Sequence, residues 1–454
     1  MTSAVTTRGL RSRSKPIILR SRRAAGSSYK TVHALRSACC QPEGRKKICG
    51  TAFRLWLFVG NRARFELHYG LSGSRPLVTI TPGDRQGMTT HRRAFLETAF
   101  AGAAATLSQS VSKADSPKYG IPGPYPGRVV AVEHSRSIVS GVYQGDAIQQ
   151  MVQRGMTDLT GAPTWQDAWR SMFEKGDVVG IKVCPVGGPK LCSDATVLHA
   201  ILDGLNQAGV TDSNVIVFNR YREEAVHAGM LNWLRPGVRF EAAAPAYDDS
   251  QLGMDGYDER HYMELAIVKA GDDPNDPHSR RSYVAKIVTS QVNKIINLPV
   301  LKHHQSAGVT ITLKNMSHGF VNNVNRSHMT PSANACGIFI PSVVSLPIIR
   351  QKVVLHIVDS IRASYHGGPP GKERFIWEPK ILYFGTDPVA LDKTGWKAID
   401  AKRAEVGMAS IALSKPDDES HYLNCQVEHI EIAGMLGLGE FSDEKIKVQR
   451  VTVA

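Results

Sequence analysis

The chain has 454 residues, with 55 Lys or Arg against 41 Asp or Glu and a formal charge of +14, a balance that by itself would suggest an anionic polymer as partner. The excess is local: residues 1–87 hold 17 basic and 3 acidic side chains, and the remaining 367 residues hold 38 of each. A uniformly basic nucleic-acid binder is therefore disfavoured, and any attraction for anions has to come from local patterning.

In chain order, residues 1–87 are rich in Arg and Ser and show no periodic pattern. From Thr90 the sequence reads THRRAFLETAFAGAAATLSQSVSKADSP: a twin arginine, a weakly apolar alanine-rich run, and the small-residue site Ser112-Lys113-Ala114. This resembles a twin-arginine export signal, so residues 88–114 are expected to address the chain to that machinery and to a periplasmic or extracytoplasmic location. Residues 94–107 are too few and too alanine-rich for a stable membrane span. Met88 is then the expected start, with residues 1–87 a non-native extension without a fold. The competing reading, an organellar transit segment, would not be followed by a second signal of bacterial type.

A Pro/Gly-rich linker, 115–128, leads into one expected domain, 129–451. In it short β-branched runs (VVAVEHS, VVGIKV, NVIVF, KIINLPVL, VVLHIV and KILYFG) alternate with helical patterns. VLHAILDGLNQAG has apolar residues at helical spacing, with Ser193 or Asp194 as cap and Gly209 as stop. Asp387 followed by Pro388 is a helix start, because proline loses nothing at a position whose N–H has no partner anyway. Continuous apolar strands alternating with helices predict an α/β fold: a mostly parallel sheet with helices on both faces. Residues 248–280, acidic and turn-rich, are expected as surface excursions.

Cysteines 184, 192, 336 and 425 lie in the domain, and no CxxC occurs. An iron–sulfur cluster has no motif to support it, and a zinc ribbon is likewise absent. Scattered thiols could still converge in space, although burial as small apolar side chains is their commoner role.

One window stands out: from Pro277 to Val358 there is no Asp or Glu, against nine Lys or Arg and six His. In open parallel sheets ligands bind beyond the carboxyl ends of the strands, and there the sequence sets CPVGGPK, NRYREE, KHHQSAG, DSIR and TDP. Read as a strand, VTITLK puts Thr310, Thr312 and Lys314 on one face. Lys182, Lys302 and Lys314, with Thr310, Thr312 and Asn315, are the expected contacts to a small anion, a phosphate or carboxylate held by lysine charge and hydroxyl donors. His303 or His304 is the candidate acid or base, with Asp359 orienting partners. Adjacent His303 and His304 point to opposite sides of an extended backbone, so at most one joins a given site. A divalent metal, held by His318 with Asp387, Asp359 or a cysteine completing the shell, is the alternative. It would make the chain a non-catalytic periplasmic metal- or iron–sulfur-binding protein. The glycine turns Gly187-Gly188-Pro189 and Gly367 to Gly371 match no phosphate-binding loop.

GDVVGIKV, NVIVFNRY, INLPVLKHHQSAGVTITLKN, HIVDSIRASYHGGPPG, TDPVALDKTGWKAI and AGMLGLGEF, in this order, together resemble the domain of unknown function family 362 over roughly residues 127–451. The resemblance implies the α/β fold and the domain boundaries, and no established activity. Many members carry an appended ferredoxin-like cysteine cluster, which this sequence lacks. Cys184 stands where relatives commonly have Asn.

Overall fold

The computed structural model describes residues 119–454 together with upstream strand segments at 34–35, 53–58, 64–72 and 75–80. Those four segments pair antiparallel, in chain order, into a sheet of their own, a pairing that composition alone does not predict. The twin-arginine segment 88–114 and the start of the linker lie outside the described residues.

The domain is built on one large sheet. Its strands are β1 (Arg128–His134), β2 (Val179–Lys182), β3 (Val215–Tyr221), β4 (Arg239–Ala244), β7 (Lys294–Asn297), β10 (Val353–Ser364), β12 (Ile381–Gly385) and β13 (Lys447–Val453). In space they run β4-β3-β2-β7-β10-β12-β1-β13. The five from β4 to β10 are parallel, β12 is antiparallel to both neighbours, and β13 runs parallel to β1. The excursion expected at 248–280 is framed by a small antiparallel pair, β5 (Tyr257–Glu264) and β6 (Arg281–Ala285).

Alternate residues of each strand feed opposite faces, the period-2 consequence of the pleat. Val130, Val132, Val215 and Val217 join one core with α1 (Gly145–Thr160), α2 (Trp165–Arg170) and α3 (Ala195–Gln207). Val129, Ala131, Ile216 and Phe218 join the other, with α4 (Thr312–Phe320), α5 (Cys336–Val344), α6 (Pro388–Glu405) and α7 (His429–Met435). Helices thus cover both faces, as the patterning predicts. Both helix starts read from the sequence hold: Asp194 accepts from Thr196 N, and Asp387 accepts from Val389 N and Ala390 N. No helix among the described residues is long and apolar enough to cross a membrane.

Two local departures shape the site. KIINLPVL is not one strand: it breaks at Leu298-Pro299, where proline has no N–H for the ladder, and resumes as β8 (Val300–His304), which pairs with β9 (Gly308–Thr310) and β10. VTITLK is not a strand throughout. β9 ends at Thr310 and α4 begins at Thr312, because Asp392 of α6 accepts the amides of Thr312 at 2.7 Å and Leu313 at 3.1 Å and so satisfies donors at the helix start. The remaining short strand, β11 (Ile376–Trp377), pairs with β10.

Candidate functional site

Strands β2, β3, β7 and β8 deliver their last residues to one edge of the sheet, and α4 packs across that edge. Lys182 ends β2, Arg220 stands next to the end of β3, Asn297 ends β7, and Lys302 and His304 lie on β8. Lys302 is the cross-strand partner of Thr310 in the antiparallel β8–β9 pair, so the two side chains share a face. Lys182, Lys302 and Lys314 are buried, exposing 2%, 1% and 7% of their surface. None of the ion pairs formed by the described residues includes Lys182, Arg220, Lys302 or Lys314.

The four cations differ in what occupies their donors. Lys182 Nζ donates to the Val183 carbonyl at 2.6 Å, Asn219 Oδ1 at 3.1 Å and Asn315 Oδ1 at 3.2 Å, which uses all three of its N–H groups on uncharged acceptors. It reaches them by crossing α4 at Gly319, where a Cβ would stand 2.1 Å from Lys182 Cε. Lys302 donates to the Val186 carbonyl. Lys314 has no hydrogen-bond partner for its ammonium among the described residues. Arg220 lays its guanidinium over the Tyr221 ring, 4.3 Å from the centroid, and leaves Nε and Nη1 buried without partners. Thr310 Oγ1 is likewise buried and unpartnered.

Burial is the main force on the charges of Lys182 and Lys314. It pulls Lys182 down to about 8, with Arg220 and Lys302 adding to the effect and Glu224 opposing it. Lys314 also falls to about 8 through burial, and there Arg220 and Lys302 again push down while the Cys336 thiol opposes. Both lysines are therefore still protonated at neutral pH.

A chain of amides fixes the geometry beneath. Glu224 Oε2 accepts from Asn219 Nδ2 at 2.7 Å, Asn315 Nδ2 donates to Asn297 Oδ1 at 2.7 Å, and Asn297 Nδ2 donates to His356 Nδ1 at 3.1 Å. Asn315, expected as a substrate contact, thus holds Lys182 in place.

Several expected residues lie elsewhere or are engaged. Thr312 does not join the cations, since its hydroxyl donates to Asp392 and to the Pro388 carbonyl within the start of α4. His303 points to the opposite side of β8, its ring 5.2 Å from that of His366, and both its nitrogens are buried without partners. His304 faces the lysines, but its Nδ1 accepts from the amides of Ser306 at 3.2 Å and Ala307 at 3.4 Å, so its basic nitrogen is committed to the β8–β9 turn. Burial holds both imidazoles well below the usual range. Asp359 gathers with Tyr143 and Asp194: it accepts from Tyr143 Oη at 3.3 Å, Asp194 N at 3.2 Å and Ile361 N at 3.2 Å, and burial beside Asp194 raises it to about 7. Asp387 is fully buried and takes four backbone amides, those of Gly127, Val389, Ala390 and Glu440. It is a helix cap with no lone-pair direction left for a metal.

His318 meets residues that sequence reasoning did not single out as ligands. His318, His328 and Cys336 each bring one ligand atom within 4.8 Å of the others. Arg220 was missed because the NVIVF pattern ends at Phe218, whereas β3 runs on to Tyr221. The signal was present in NRYREE, polar residues at a strand's carboxyl end. The glycine turns lean on one another at the same edge: a Cβ on Gly371 would stand 2.6 Å from the Gly187 carbonyl oxygen. Surface hollows of about 220 and 340 Å³ occur elsewhere, around Lys393 and Asp443 and around Tyr257 and Arg260. Neither includes any of the four cations.

These features define an α/β protein of the open-sheet class with a cationic cluster beyond the carboxyl ends of its parallel strands. Residues 187–397 match the model of the family described as Domain of unknown function (DUF362), a match that supports the resemblance to this family. No curated protein matches the chain. A crystal structure of a protein from Thermotoga maritima is similar at 11% identity and a TM-score of 0.35, over 59% of this chain and 60% of that one, a likeness too slight to inform fold or function.

Proposed function

We propose that the domain binds a small anion, a phosphate or carboxylate, among Lys302, Lys314, Arg220 and Thr310, with Lys182 adding charge from behind. One observation carries this reading: three buried lysines and the half-buried Arg220 have no carboxylate partner among the described residues, and Lys314 and Arg220 keep unused donors. Burying a charge without a partner is costly, so a fold that retains several together is explained by a ligand that supplies the opposite charge. Guanidinium and ammonium donors suit phosphate and carboxylate oxygens. The settings of His303 and His304 favour binding over proton transfer by those two residues. The THRRAF segment supports export by the twin-arginine route as the setting in which binding takes place.

The test is calorimetric titration of the full chain with a panel of phosphates and carboxylates. A ligand found for the wild type is expected to lose at least tenfold in affinity in Lys314→Ala and in Lys302→Ala. Unchanged binding of every such anion in both variants would reject the reading.

A further inference from the structure

We propose that His318, His328 and Cys336 form a site for a single borderline-soft metal ion, with zinc(II) the ion whose preferences they fit. The site shares no ligand with the anion contacts. His318 comes from α4, His328 follows the short turn Asn325–Ser327, and Cys336 is the first residue of α5. The fold thus brings two imidazoles and one thiol from separate elements to one point, with each donating atom within 4.8 Å of the others.

The donor set decides the class of ion. Two nitrogens and a sulfur without a carboxylate suit zinc or another thiophilic ion and suit magnesium or calcium poorly. The surroundings match what metal-bound side chains need. His328 Nδ1 lies 2.7 Å from Ser327 Oγ, so its Nε2 is left for a ligand. The Cys336 thiol points at the hydroxyl oxygens of Ser306 at 3.6 Å and Ser327 at 3.9 Å, and it sits at a helix start, where negative charge is favoured. His318 and His328 keep some exposure, which gives an ion a way in. His304, whose ring is 5.9 Å from that of His328, is not a fourth ligand while its Nδ1 serves the turn. That position falls to water or a small anion.

Binding exchanges the Cys336 S–H bond for a sulfur–metal bond and releases the proton to solvent, with no change of oxidation state. Lys314 and Arg220 stand close enough to oppose a cation, and the thiolate charge offsets them. The competing arrangement is a hydrogen-bonded hub: Ser327 Oγ stands 3.1 Å from His318 Nε2 and 2.7 Å from His328 Nδ1, and the three side chains would then serve packing alone.

The experiment takes the full chain, stripped with a chelator, and titrates it with cobalt(II) and then zinc(II). One ion per chain, a sulfur-to-cobalt charge-transfer band, and zinc absorption-edge spectra with one sulfur at about 2.3 Å and nitrogens at about 2.0 Å are expected. Cys336→Ser should abolish the band and weaken zinc at least 100-fold, while Cys425→Ser leaves both unchanged. The edge spectrum needs no variant, so misfolding of Cys336→Ser leaves the test intact. Failure of the wild type to bind either ion at micromolar concentration, or a bound zinc without sulfur in its shell, would overturn the site in favour of the hub.

Discussion

The two edges of the main sheet treat lysine differently, half-buried at one and buried at the other. Where strands begin, Lys294 opens β7 and gives its ammonium to Asp177 Oδ2 at 2.8 Å and the Met172 carbonyl at 3.0 Å. Lys352, just ahead of β10, takes the carbonyls of Val288, Thr289 and Val292. Where strands end, Lys182 is satisfied by neutral acceptors in the manner of Lys352, but among the described residues Lys314 has no hydrogen-bond partner and Arg220 leaves two nitrogens idle. One edge spends lysine on holding the fold together. The other keeps it at a cost to stability, and a cost of that kind marks a site.

The contrast can be broken by mutation. Asp177→Ala strands the Lys294 charge, and chemical denaturation should report a loss of about 3 kcal/mol or more. Lys314→Met should act in the opposite direction. It removes an ammonium whose pKa burial has dragged from 10.5 to about 8, which corresponds to a gain of about 3 kcal/mol in the unliganded protein at pH 7, together with loss of anion binding. A less stable Lys314→Met would mean that the ammonium already has a mate.

Titration sharpens the same point. The folded protein releases the Lys182 and Lys314 protons near pH 8, whereas the unfolded chain holds them to about 10.5. The unfolded state thus binds more protons in that window, and stability contributed by these two groups rises with pH across it. Denaturation midpoints measured from pH 7.5 to 10 should show the rise, shallower by about half in Lys314→Met. Anion affinity should fall over the same range as the charge is lost. The smallest effect belongs to Gly319→Ala: the added methyl presses on the buried end of Lys182 and disturbs the three hydrogen bonds of its ammonium, so stability should fall by about 1–2 kcal/mol while anion affinity falls severalfold by titration.

How much of this was legible in the sequence depends on how far away the deciding residue lies. The strands, the caps at Asp194 and Asp387 and the two-faced sheet were readable, because apolar alternation and capping are local. The acid-free window pointed to Lys302 and Lys314 for the same reason: nothing nearby could pair with them. Thr312 was misplaced because its conformation is decided by Asp392, 80 residues on. The alternation of VTITLK, sound as a pattern, gives way to that distant cap. Asp387 looked free as a possible ligand, yet two of its four amides come from Gly127 and Glu440, at opposite ends of the domain. His328 and Cys336 carry no motif spacing, and only folding shows them beside His318.

The carbonyl of Val186 that accepts from Lys302 belongs to the same loop as Gly187, and that loop rests on the turn carrying Gly371. Freeing the Lys302 ammonium from Val186 therefore means moving a loop that packs on the Gly371 turn. On the binding reading, a guest must wait for that motion, so capture and escape would run at the pace of chain rearrangement, slower than diffusional encounter.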